Sequence, residues 1–218
     1  MKSTNNIKLV RSGVTVLFTA LICLGCFVSH PLPGGVPITV QNMLASLSGL
    51  VLGGLQGAGA VGLFLVLGAL GLPVFSGVKG GISVIQGPTG GYLIGYFLGA
   101  LIGGLILGSP LKKEKKTVPF IIRTIIASVF AFALQYAVGI PWFMAVMESS
   151  GKENSFAEVL SETLIPFIPG DIIKLILSVI LAFVLRPVAG RTLYPNDAKE
   201  AEEILRRLEQ RKRQQKGY

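Results

Sequence analysis

Gly80-Gly81-Ile82-Ser83-Val84-Ile85-Gln86-Gly87-Pro88-Thr89-Gly90-Gly91-Tyr92-Leu93-Ile94-Gly95-Tyr96 passes from a glycine-rich loop directly into a long apolar run. Pro88 has no backbone N–H to lose and suits the first turn of a helix, so the sequence predicts a helix from near Pro88 to about Gly108. Within it Gly91, Gly95, Gly99 and Gly103 recur every four residues and share one helical face. In an apolar helix such a stripe is a groove for another backbone, because small residues let two helices approach closely. The loop before it invites a second reading. Irregular backbone at the edge of a bilayer is tolerated only where protein buries it or where it lines a cavity.

The rest of the 218-residue chain has the same character. Hydrophobic residues make up 51% and charged residues 14%, with a mean hydropathy of +0.67, which excludes an ordinary soluble domain and indicates a polytopic membrane protein. A formal net charge of +9 would suit nucleic acid. The basic residues, however, flank apolar runs, at Lys2, Lys8 and Arg11, in the block 112–116, and from Arg186 onward, so the charge is topogenic and no nucleic acid is expected. Cys23 and Cys26, three apart in an apolar helix, cannot form a relaxed disulfide and read as packing residues.

Apolar runs predict an all-α integral membrane protein with six transmembrane helices, over 13–29, 38–55, 58–72, 88–108, 117–139 and 167–185. Residues 2–27 could also pass for a signal peptide, but the topology keeps them as the first span. The positive-inside rule puts both termini and the 112–116 block in the cytoplasm of a cell-membrane protein, and leaves the acidic segment 140–165, with a short surface helix over 157–164, outside. Residues 1–190 form the six-span substrate-binding domain and residues 191–218 a basic cytoplasmic helical tail. That tail carries i to i+4 pairs such as Glu202/Arg206 and is expected to meet anionic membrane lipid.

Asp171 and Lys174 are the one ionisable pair inside a predicted span, and at i and i+3 they share a face. Charges in a bilayer persist when they pair or serve a site, so the two are either a structural ion pair or the groups that meet a polar ligand. Thr39, Gln41 and Asn42 open the second span, where they can cap the helix or offer amide donors and acceptors to a neutral heterocyclic amide or urea. The sequence has no G-x-x-x-x-G-K-[ST], H-E-x-x-H or G-x-S-x-G, and a single histidine, His30. It therefore predicts no ATPase of its own, no catalytic residues, no metal site and no cofactor.

Four segments carry a family resemblance: Pro37-Ile38-Thr39-Val40-Gln41, Gly68-Ala69-Leu70-Gly71-Leu72-Pro73-Val74-Phe75, Gly87-Pro88-Thr89-Gly90-Gly91-Tyr92-Leu93-Ile94-Gly95 and Pro166-Phe167-Ile168-Pro169-Gly170-Asp171-Ile172-Ile173-Lys174. In this order they resemble the BioY family, the biotin-specific S components of energy-coupling-factor (ECF) transporters. The resemblance implies an S-component-like six-helix bundle, biotin as substrate, and as partners a transmembrane coupling subunit and two ATPase subunits. It makes Gln41, Gly87, Tyr92, Asp171 and Lys174 substrate-binding residues, with Lys174 facing the biotin carboxylate. The chain departs from the family at the first helix, where Val16 and Leu24 flank Ala20 in place of a small-residue repeat. Two rival readings are an S component for another vitamin and a scaffolding membrane protein in which the glycine stripe and the Asp171/Lys174 pair only hold helices together.

Overall fold

The computed structural model describes residues 2–30, 32, 35–111, 117–152 and 155–193, with side chains from Lys8 onward. The expected 112–116 cytoplasmic block and nearly all of the expected helical tail, residues 194–218, lie outside the described residues. The described chain forms eight α-helices: α1 Lys2–Leu24, α2 Gln41–Leu52, α3 Gly54–Ala69, α4 Ile82–Gln86, α5 Gly90–Leu107, α6 Val118–Ser149, α7 Phe156–Thr163 and α8 Ile168–Leu193. Two two-residue strands, β1 Ser29–His30 and β2 Ile38–Thr39, pair antiparallel between α1 and α2.

Four stretches, Lys8–Phe27, Gly90–Leu107, Val118–Ser149 and Phe156–Leu193, are long and apolar enough to cross a membrane. Helices α2 and α3 are shorter, at 12 and 16 residues. On α8 the residues Ile172, Ile173, Ile176, Ile180 and Val184 are all exposed, as are Ile122, Ile126 and Val129 on α6. Such a continuous apolar belt would drive aggregation in water but is the normal surface against lipid. The chain is a multi-pass helical membrane protein.

Glycines set the helix spacing. A Cβ added at Gly95 would fall 2.7 Å from the Cα of Gln135, and Cβ atoms at Gly99 and Gly103 would press on the carbonyl oxygens of Ala131 and Ala127. The stripe on α5 is thus the seat of α6. The opposite face of α5 packs as tightly, since a Cβ at Gly49 of α2 would lie 2.0 Å from the Ala100 carbonyl oxygen. Gly53, with φ of +89°, reverses the chain between α2 and α3. We expect Gly95→Leu to destabilise the detergent-purified protein by about 1 to 3 kcal/mol or more, because the atom it meets is backbone. Wild-type thermal stability in that variant would remove Gly95 from the helix contact.

Several boundaries differ from the sequence expectation for identifiable reasons. Helix α2 starts at Gln41, not Ile38, because Ile38 and Thr39 are taken up by β2. Helix α6 runs through Pro141 to Ser149, and α8 through Pro187 to Leu193. Proline ends helices in water, but within a membrane bundle neighbouring groups satisfy the freed carbonyls. Trp142, expected in an outer loop, is therefore on α6. The short surface helix appears as α7, begun by a capping box in which Ser155 Oγ accepts from the Glu158 N–H and Glu158 accepts from the Ser155 N–H.

Candidate ligand site

Lys174 sits two turns into α8 and Asp171 one turn before it, so their side chains meet on the inner face: Lys174 Nζ is 2.9 Å from Asp171 Oδ1, and both residues are buried. Packing of α2 against α8 adds Asn42, whose Nδ2 donates to Asp171 Oδ1 at 3.1 Å and whose Oδ1 accepts from Lys174 Nζ at 3.2 Å. Tyr136 of α6 donates its hydroxyl to Asp171 Oδ2. An acid, an amine, an amide and a phenol from three helices thus close one network. Gln135 extends it, donating from Nε2 to Ser46 Oγ at 2.8 Å.

This network forms one wall of a small internal chamber of about 20 Å³ lined by Asn42, Gln135, Tyr136, Thr163 and Lys174. A second chamber of about 60 Å³ lies beside it, lined by Phe75, Ser76, Lys79 and Thr89. Val36, Pro37, Tyr92 and Tyr96 border both. Tyr92 stands edge-on to Tyr136, with centroids 6.1 Å apart, and its hydroxyl is buried with no hydrogen-bond partner among the described residues. Buried polar atoms without partners are uncommon in folded proteins. A larger groove, about 760 Å³, is at the other end of the bundle, away from this chemistry.

Of the five residues expected from sequence, Tyr92 and Lys174 line the chambers, and Asp171, which lines neither, is joined to them through its ion pair with Lys174. Gln41 and Gly87 line neither chamber and support the walls. The Gln41 amide nitrogen donates to the carbonyls of Ile22 at 2.9 Å and Val74 at 2.8 Å, and its oxygen accepts from Ser76, tying α1 and the loop after α3 to the start of α2. The Gly87 carbonyl accepts from the Trp142 indole at 3.0 Å, which fixes the glycine-rich loop on α6. Tyr136 and Gln135 were missed. Their signal was available, because they are the only phenol and carboxamide in a 32-residue apolar helix.

A helical membrane bundle that buries such a network around tyrosine-lined chambers at one end is, as a class, a membrane-embedded binding protein for a small polar molecule. Similarity to known proteins narrows this. The chain belongs to the BioY family, whose model matches residues 1–191; this is a family of transporter subunits, not of enzymes.

The chain is 36% identical over 179 residues to a biotin transporter of that family from Thermotoga maritima, a match that covers 82% of this chain and 95% of the relative. It is 39% identical over 171 residues to one from Rhodobacter capsulatus (76% and 87% covered) and 35% identical over 196 residues to one from Lactococcus lactis subsp. cremoris (88% and 98%). A crystal structure of the S-component for biotin from an ECF-type ABC transporter superposes with a TM-score of 0.69 at 31% identity, covering 84% of this chain and 93% of that one.

Proposed function

We propose that this chain captures biotin outside the cytoplasmic membrane and is the substrate-binding S component of an ECF-type transporter. The carrying observation is the closed Asn42–Tyr136–Asp171–Lys174 network facing the tyrosine-lined chambers in a chain of the BioY family. The ureido ring of biotin has two N–H donors and one carbonyl acceptor. Asp171 can accept from the N–H groups, and Lys174 and Asn42 can donate to the carbonyl.

Lys174 was expected at the biotin carboxylate. Its ammonium is already neutralised by Asp171 at 2.9 Å, so a ligand carboxylate there would face a second anion. Lys79 lines the neighbouring chamber and has no carboxylate within ion-pair distance among the described residues. We therefore place the ureido ring at Asp171 and Lys174 and the carboxylate toward Lys79, with Tyr92 between. Bound small molecules typically fill about 300 to 1,000 Å³, so a ligand spanning both chambers requires residues that border both, such as Val36 and Pro37, to move.

Six of the helices, α1, α2, α3, α5, α6 and α8, are taken as the membrane spans, with both termini cytoplasmic. A transmembrane coupling subunit and two ATPases are the proposed partners, in keeping with a sequence that has no P-loop. Detergent-purified chain is expected to retain biotin at one per chain and to prefer it over other vitamins. Absence of binding would overturn the assignment, and tighter binding of another vitamin would redirect it. Single cysteines at Lys113 and Lys152, in a background without Cys23 and Cys26, test orientation: an impermeant thiol reagent should label only the second in intact cells.

A further inference from the structure

We propose that Gln41 is a positioning residue: it clamps the turn that carries Lys79, and so makes the site select its ligand by the length of the side chain that ends in the carboxylate. This rests on the placement of the carboxylate toward Lys79. Gln41 opens α2 directly before Asn42, is buried, and lines neither chamber. Its amide reaches the loop after α3 on both sides of Phe75, with Nε2 donating to the Val74 carbonyl at 2.8 Å and Oε1 accepting from Ser76 Oγ at 3.3 Å.

That loop is a short hairpin. Phe75 and Lys79 exchange backbone hydrogen bonds of 2.9 and 3.2 Å, which leaves Ser76, Gly77 and Val78 as the turn. Phe75 roots it, buried edge-on against Phe64 with centroids 5.3 Å apart, where a Cβ on Gly68 would fall 2.1 Å from its ring. Val78 has a φ of 59° and is the only non-glycine residue with positive φ among the described residues. A β-branched side chain is disfavoured there and stays only where its surroundings over-determine it. The two Gln41 bonds, one on each side of Phe75, keep the turn from relaxing. Lys79 follows Val78 directly, so its direction toward the second chamber depends on that turn. At the other end Asn42 and Tyr136 fix Asp171 and Lys174. A ligand held at both ends meets two fixed points, and one methylene more or less between them takes its carboxylate off the Lys79 ammonium.

The test is titration of the detergent-purified full-length chain with biotin, biotin amide and homobiotin, whose side chain is one methylene longer. Each variant is first shown to be monodisperse by size exclusion. Wild type is expected to prefer biotin over homobiotin by about tenfold or more, the usual weight of one methylene in a shaped pocket. Gln41→Met, which keeps the side-chain length without the amide, should reduce that preference to within about threefold and leave biotin amide binding near wild type. Adding Val78→Gly should restore the preference, because glycine takes the left-handed conformation without steric cost and the turn then holds without its clamp. Ser76→Ala cuts the same contact from the half-buried hairpin side and serves if Gln41→Met does not fold. Its rescue by Val78→Gly separates a lost clamp from a lost ligand contact.

Equal binding of biotin and homobiotin by wild type would overturn the proposal. So would a clamp variant that keeps the preference, one that loses biotin and biotin amide equally, or one that Val78→Gly does not rescue; Gln41 would then serve only the fold. Lys79→Met in the same series keeps the two readings apart. Unchanged biotin affinity there removes the carboxylate from Lys79 and the proposal with it, whereas weakened biotin binding there beside an unchanged preference in Gln41→Met removes the proposal alone.

Discussion

Replacing Lys174 with methionine is expected to weaken biotin binding by about 2 to 5 kcal/mol, the cost of truncating one partner of a buried hydrogen-bonded charge pair. At about 1.4 kcal/mol per decade this is a loss of roughly 30-fold or more. Methionine keeps most of the stem volume, so the change isolates the ammonium. Without it Asp171 retains Asn42 and Tyr136 as donors but faces the site as an uncompensated anion.

Biotin amide, which lacks the carboxylate, separates the two placements of the ligand. With the ureido ring at Lys174, titration calorimetry should show biotin and biotin amide losing affinity together in Lys174→Met. In Lys79→Met only biotin should lose affinity. A Lys174→Met effect confined to biotin would return the carboxylate to Lys174. Both affinities staying within about threefold of wild type, well short of one buried charge pair, would make Asp171/Lys174 a structural pair and move the site elsewhere.

Arg186→Met is expected to cost about 3 kcal/mol or more in stability, since each buried acceptor left unsatisfied costs about 1 to 3 kcal/mol. Arg186 is fully buried on α8, packs 5.8 Å from the Phe120 ring centroid, and donates to the carbonyls of Leu50, of Gly108 at 3.1 Å and of Ser109 at 3.3 Å. These carbonyls close α2 and α5, where a helix leaves acceptors unpaired and carries negative partial charge. One planar guanidinium reaches both helix ends. Arg186→Lys, with a single ammonium, should recover only part of the loss. The check is denaturation in detergent, and a methionine variant within about 1 kcal/mol of wild type would show that these carbonyls find other donors.

Arg186 also marks where local reading stops. By sequence it is a basic flank of the last span, the kind of charge that sits at the membrane surface; in the fold it is inside. Nothing in its neighbours Leu185 and Pro187 encodes that, because its partners lie 136, 78 and 77 positions away. Gln41 is the converse case. Its amide was one of the groups open to a ligand, yet it joins Ile22, Val74 and Ser76 once α1 and the loop after α3 close around it.

What the sequence determined by itself was whatever depends on neighbours along the chain. Apolar runs set the helices, the four-residue glycine period set one helical face, the i to i+3 spacing put Asp171 beside Lys174, and four motifs in order marked the family. Tertiary structure decided which partners complete the site: Asn42, 129 positions before Asp171, and Tyr136, 35 before it. It also decided that α6 continues through Pro141 and carries Trp142 to Gly87. The physical reason is that a buried polar side chain is satisfied by whichever group the packing of helices brings within about 3 Å. That packing is set by the contacts of Gly49, Gly95 and Gly99 with other helices, which no short stretch of sequence contains.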